Sequence, residues 1–232
     1  MPDSVLVLSG GLDSAVNLKC ALDTGRVRAA VTFDYGQRAA QRECAASAAM
    51  CRRYRVRHEV VRFPWFRRIS HTALIDRSRP LPHPSLAALD APAAAGRSAA
   101  HVWVPNRNGL FLAVAAAFAE GLGAQQIVAG FNAEEAASFP DNSEEFVALY
   151  NKTLKLSTRA GVRVRCYTGH MRKTSIIALG LVLHAPLDLA WSCYEGGRRL
   201  CGRCESCRRF LRAVNQSGAA PWFKANYAHW PR

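Results

Sequence analysis

Four apolar residues, Val5-Leu-Val-Leu8, run straight into Ser9-Gly10-Gly11-Leu12-Asp13-Ser14, and this junction constrains the fold more than any other stretch. A short, continuous apolar run is the pattern of a strand buried on both faces, as in a parallel sheet. Parallel strands need crossovers, so a helix is expected over about 14–24. Paired glycines open backbone conformations closed to other residues and let successive N–H groups form one concavity, to which a helix N-terminus adds partial positive charge. Phosphate suits such a turn. Ser9 and Ser14 can donate hydroxyl hydrogen bonds, and Asp13 can help hold magnesium or brace the loop. The loop has neither the lysine of a Walker loop nor the GxGxxG dinucleotide spacing. The bland alternative is a tight glycine turn before a helix.

Further strands are expected over 29–33, 56–63, 126–130 and 162–167, and helices over 39–54, 108–121, 143–158 and 173–183. Strands and helices alternating in this rhythm predict an α/β fold with a Rossmann-like, doubly wound, mostly parallel sheet. Residues 80–101 break the rhythm with four prolines and eight alanines, and are expected as a flexible excursion, either disordered or an active-site cover. Residues 1–185 then form a nucleotide-binding and catalytic domain, and residues 186–232 a small cysteine-bearing segment.

Of eight cysteines, four crowd together as Cys193-x7-Cys201-x2-Cys204-x2-Cys207. Two-residue gaps let neighbouring sulfurs converge on one ion, and four thiolates favour a closed, structural zinc, with an iron–sulfur cluster as the alternative from ligands alone. Cys20, Cys44, Cys51 and Cys166 are scattered and read as small buried hydrophobes. A net charge of +14 favours polyanionic ligands, yet the arginine clusters lack interleaved aromatics, so a solvated surface is preferred to nucleic-acid binding. No apolar run reaches membrane-spanning length, and Asp3 stands where a secretory signal would be positive, so a cytoplasmic protein is expected.

Ser9 to Ser14 resembles the SGGxDS signature of the PP-loop ATP pyrophosphatases, which cleave ATP between the α- and β-phosphates. With Thr32-Phe-Asp-Tyr-Gly-Gln-Arg38, Val104-Pro-Asn-Arg-Asn108, Phe139-Pro-Asp141 and the cysteine pattern, almost the whole chain is similar to the 7-cyano-7-deazaguanine synthase family. That resemblance implies an ATP-dependent ligase of queuosine biosynthesis, usually dimeric, with a C-terminal zinc segment. It would convert 7-carboxy-7-deazaguanine and ammonia, through adenylated intermediates, to an amide and then a nitrile. ATP and magnesium would bind at Ser9, Gly10, Gly11, Leu12, Asp13 and Ser14. Phe33, Tyr35 and Gln37 would cradle adenine and ribose, with Gly130 beside the nucleotide. Asp13, Ser14, Arg107 and Lys173 would act at the phosphates, and Phe139 and Asp141 would hold the deazaguanine.

Two segments depart from the family wording. Ala137-Ser-Phe-Pro-Asp-Asn-Ser143 stands where the family has a Ser-Gly-Tyr-Pro-Asp-Cys-Arg-like run, and Asn106 replaces a glycine. A relative that joins a deazaguanine to another amine, such as a protein, is therefore an alternative. So is a PP-loop tRNA-modifying enzyme. A non-catalytic zinc module is disfavoured by the intact loop.

Overall fold

The computed structural model describes residues 1–231. Its elements run β1 (Asp3–Val7), α1 (Leu12–Thr24), β2 (Arg26–Asp34), α2 (Ala40–Tyr54), β3 (His58–Arg62) and α3 (Phe66–Ile69). They continue with α4 (Pro92–Val102), α5 (Arg107–Gly121), β4 (Gln126–Val128), α6 (Ala133–Ala136), α7 (Glu144–Ser157) and β5 (Arg163–Arg165). Three more helices complete the chain: α8 (Lys173–Val182), α9 (Glu205–Gln216) and α10 (Ala220–Asn226). All five strands are parallel, in the order β3-β2-β1-β4-β5. The order reverses at β1, so the crevice beyond its carboxyl end is the topological switch point, where open α/β sheets bind ligands.

Central position explains the apolar run that opens the chain. Val5 faces a cluster with Val31, Ile127, Leu112 and Leu154, while Leu6 and Leu8 face the opposite one with Leu18, Met50 and Val128. Both faces of β1 are thus buried, and no polar alternation is possible there. Ser143 caps α7, its Oγ accepting from the Phe146 N–H at 3.0 Å, with Glu144 and Glu145 in the first turn. That is the start expected from sequence.

One expectation needs correction. The excursion at 80–101 contains a 3-10 turn, Ala87–Leu89, and most of α4. Pro92 starts α4, and Ala95, Ser98, Ala99 and Val102 form its buried face. Small alanines carry a weak periodic signal yet are good helix formers, so the element was hidden. It is fastened to the tail: Arg209 donates to the Leu89 carbonyl at 2.9 Å, and Ser98 bonds Glu205. The tail also packs against the first helix. Leu12 and Val16 of α1 share one apolar cluster with Ile176, Ile177, Leu187, Trp191, Phe210 and Phe223.

Asn106 occupies the left-handed region at φ 50°, as the N-cap of α5. Asparagine tolerates this region better than most other residues with a Cβ. No helix among the described residues is long and apolar enough to cross a membrane.

Candidate active site

The loop leaving β1 has Gly10 at φ 75°, a conformation that suits glycine, and a Cβ there would lie 2.7 Å from the Glu43 carbonyl oxygen. Ser9 Oγ accepts from the Gly11 N–H at 3.3 Å and lies 3.2 Å from Ser14 Oγ, which donates to the Gly11 carbonyl at 3.0 Å. Gly130, two residues beyond β4, presses on the same turn, where an added Cβ would come within 2.7 Å of the Ser14 nitrogen. The backbone of Trp191 donates to the Gly10 carbonyl at 2.8 Å, so the tail lies against the loop from outside.

A cavity of about 210 Å³ opens at this point. Ser9, Gly11, Leu12, Asp13, Ser14, Phe33, Tyr35, Arg107, Gly130 and Lys173, all expected at the site, line it. One pole holds a charged cluster. Lys173 Nζ lies 2.8 Å from Asp13 Oδ2 and 2.8 Å from Glu135 Oε1, and Asn132 donates to Asp13 Oδ2 at 3.1 Å. Burial works against the ammonium charge of Lys173, but Asp13 and Glu135 together push its pKa above the ordinary lysine value. Burial raises the Asp13 pKa despite the lysine. Burial also works upward on Glu135, yet Lys173 pulls it below the usual range. Asp13 Oδ1 is buried and has no partner. An unpaired anionic oxygen beside a phosphate loop fits a hard cation such as magnesium.

Another part of the wall is aromatic. Phe33 and Phe111 stack at 4.1 Å, and Phe33 and Phe63 at 5.6 Å. Arg107 Nη1 donates to the Tyr35 hydroxyl at 3.3 Å. Burial pushes against the guanidinium charge, but Tyr35, Asp141 and Tyr194 hold its pKa above the ordinary value.

Four expected residues lie off the cavity wall. Gly10 shapes the loop from behind. Gln37 is a brace: it accepts from the Tyr35 N–H at 2.9 Å and donates to the Phe33 carbonyl at 3.1 Å and to Glu43 at 2.7 Å. Phe139 stacks on Trp103 at 6.3 Å. Asp141 sits in the 3-10 turn Pro140–Asn142 with its Oδ1 buried and unpartnered, close enough to Arg107 to help hold the guanidinium charge. The wall also contains residues that sequence reasoning passed over, among them Glu43, Glu135, Phe111, Asn142 and Tyr194. Of these, only Glu135 carried a usable signal, since Asn132 and the acidic pair Glu134 and Glu135 form a capped helix start soon after β4.

The four crowded cysteines do converge. Their sulfurs all lie within 4.8 Å of one another, and Cys201 and Cys207 are 3.8 Å apart. Tetrahedral bonds of about 2.3 Å to zinc would set sulfurs about 3.8 Å apart, so the donor set fits that ion. Cys193 and Tyr194 also line the cavity, which joins the metal-binding corner to the site.

A family model and individual relatives point to one family. The model described as "Queuosine biosynthesis protein QueC" matches residues 3–218. A 7-cyano-7-deazaguanine synthase of Pelotomaculum thermopropionicum is 51% identical over 215 residues, 93% of this chain and 97% of that one. Its namesake in Desulforamulus reducens is 50% identical, over 93% and 95% of the two chains. In Bdellovibrio bacteriovorus the figure is 46%, over 90% and 91%.

Proposed function

The chain belongs to the family of queuosine biosynthesis protein QueC, and from that premise we propose that it converts 7-carboxy-7-deazaguanine to 7-cyano-7-deazaguanine with ATP and ammonia. The carboxylate attacks the α-phosphorus of ATP, pyrophosphate leaves, and ammonia displaces AMP to give the amide. A second adenylation, on the amide oxygen, lets that oxygen depart with AMP and leaves the nitrile. Each activation replaces a poor leaving group with a good one, so no covalent enzyme intermediate is needed. The cluster of Asp13, Lys173 and Glu135 beside the loop carries the reading, because adenylation calls for charge neutralisation and alignment at the phosphates.

In this scheme the Ser9 to Ser14 turn holds phosphate oxygens, and Lys173 neutralises charge developing on the departing pyrophosphate. Phe33 and Tyr35 border the bound nucleotide, and Gly130 keeps the backbone low enough for the turn to close. Arg107 orients the carboxylate substrate. Magnesium, held on Asp13 Oδ1 and the phosphates, would supply further charge neutralisation. Zinc, held by Cys193, Cys201, Cys204 and Cys207, would be structural, fastening the tail that completes the cavity wall.

The test is incubation of the protein with ATP, magnesium, ammonium and 7-carboxy-7-deazaguanine, with products identified by mass spectrometry. Nitrile, AMP and pyrophosphate are expected. ADP and phosphate would sink the pyrophosphatase chemistry, and an amide that accumulates or a protein adduct would favour conjugation to another amine.

A further inference from the structure

Three carboxylates reach the cavity wall, and they are not equivalent: Asp13 and Glu135 are bonded to Lys173, whereas Glu43 makes no ion pair among the described residues. Glu43 lies on α2, lines the cavity together with Tyr35, Arg107, Phe33 and Phe111, and is close enough to Tyr35 and Arg107 to interact with their charges. Gln37 occupies only its Oε2, at 2.7 Å. Burial holds the Glu43 pKa above the usual carboxylate range, with Arg107 pulling the other way, so this acid is costly to leave without a partner.

We propose that Glu43 is a specificity-determining residue whose carboxylate accepts hydrogen bonds from a guanine-type edge, the ring N–H and the neighbouring amino group, while Arg107 donates to the oxo group. This assignment rests on the function proposed above. A carboxylate offers two acceptor oxygens, and a guanine-type edge offers two adjacent donors, so the match is bidentate. Adenine presents an amino group next to a ring-nitrogen lone pair, and that lone pair would face the second oxygen unfavourably. The guanidinium completes the pattern, as arginine pairs well with a guanine-type oxo group. Phe111, which lines the cavity and stacks on Phe33 at 4.1 Å, supplies the apolar wall that a planar base requires, with Phe33 itself left to the nucleotide. Glu43, at the start of α2, thereby joins Asp141, which also lies near Arg107, among the residues that would read the base.

Glu43→Gln keeps an oxygen for Gln37 but turns an amide NH2 toward the donors of the base. Binding and steady-state kinetics would be measured with 7-carboxy-7-deazaguanine, with its analogue lacking the amino group, and with ATP. For the unaltered protein, losing that amino group should weaken binding about tenfold to a hundredfold. In Glu43→Gln, affinity for the full substrate should fall by a similar factor, the preference over the analogue should vanish, and ATP affinity should hold. The analogue comparison on the unaltered protein does not depend on the variant folding. Weakened ATP binding with the base unaffected would assign Glu43 to adenine and overturn the proposal. Equal behaviour of variant and parent would overturn it too, leaving Glu43 as a brace for Gln37. If the unaltered protein neither binds nor converts the deazaguanine, the proposed function fails and takes this inference with it; turnover with Glu43→Gln unchanged sinks the inference alone.

Discussion

Replacing Lys173 by methionine keeps the length and apolar stem of the side chain and removes only its charge. In the folded protein that charge sits 2.8 Å from each of two carboxylates, with the lysine side chain 9% and the Asp13 side chain 12% exposed. Breaking a buried pair from one side costs about 3–5 kcal/mol, because the partner's charge is left uncompensated. Glu135 is 33% exposed and partly screened by water, so most of the cost falls on Asp13 and the lower figure of about 3 kcal/mol applies. For a chain of this size that is a melting temperature lower by roughly 6–12 °C. The pH dependence has a definite sign. Burial raises the Asp13 pKa even with Lys173 present, and without the lysine it rises further above its unfolded value near ~4, while Glu135, no longer pulled down, rises from below its usual range. A group raised on folding contributes stability below its unfolded pKa and loses it as pH rises through the folded value. The deficit of Lys173→Met should therefore be small near pH ~4 and greatest at neutral to alkaline pH. Thermal unfolding of parent and variant across that range, with pyrophosphate release as the activity readout, gives both quantities. Turnover should drop by about 10²–10³. A deficit independent of pH, or none at pH ~8, would refute the electrostatic account of this cluster.

Gly130→Ala places a methyl group 2.7 Å from the Ser14 nitrogen, which is backbone and cannot swing aside; the loop must shift, and KM for ATP should rise at least about tenfold with a stability loss of only about 1–3 kcal/mol. A KM unchanged from the parent would mean that the turn does not need this close approach. Chelation of metal, or Cys204→Ala, should lower the melting temperature by about 10 °C or more, and should also remove activity because Cys193 and Tyr194 line the cavity. Elemental analysis of the purified protein should find one metal ion per chain. At Asn106, φ 50° predicts that Asn106→Ala costs about 1–2 kcal/mol while Asn106→Gly costs less, as read from unfolding midpoints.

Local chemistry made some of this protein legible in advance. Val5 to Leu8 could only be a strand covered on both faces, and the glycines and serines after it could only serve a backbone-lined turn, because the same few residues supply both the pattern and the geometry. The cysteines were legible for the same reason, since short spacing brings sulfurs together under nearly any local conformation. Helix α4 was missed because its buried face is made of alanine and serine, which look alike in a helix and in a polar loop.

What lay beyond the sequence was the far side of the cavity. Lys173 meets Asp13 across 160 residues, and nothing in its own neighbourhood distinguishes it from an exposed lysine. Phe139 and Asp141 had suitable chemistry for a base pocket, and Phe139 stacks on Trp103 while Asp141 lies near Arg107; Glu43, read only as part of a helix, reached the wall. The sequence by itself determined the centre of the sheet, the glycine turn that leaves it and the cluster of thiols, each a matter of residues close in the chain. Only the tertiary structure decided which charged and aromatic side chains face one another across the crevice, because that depends on how the helices pack over both faces of the sheet.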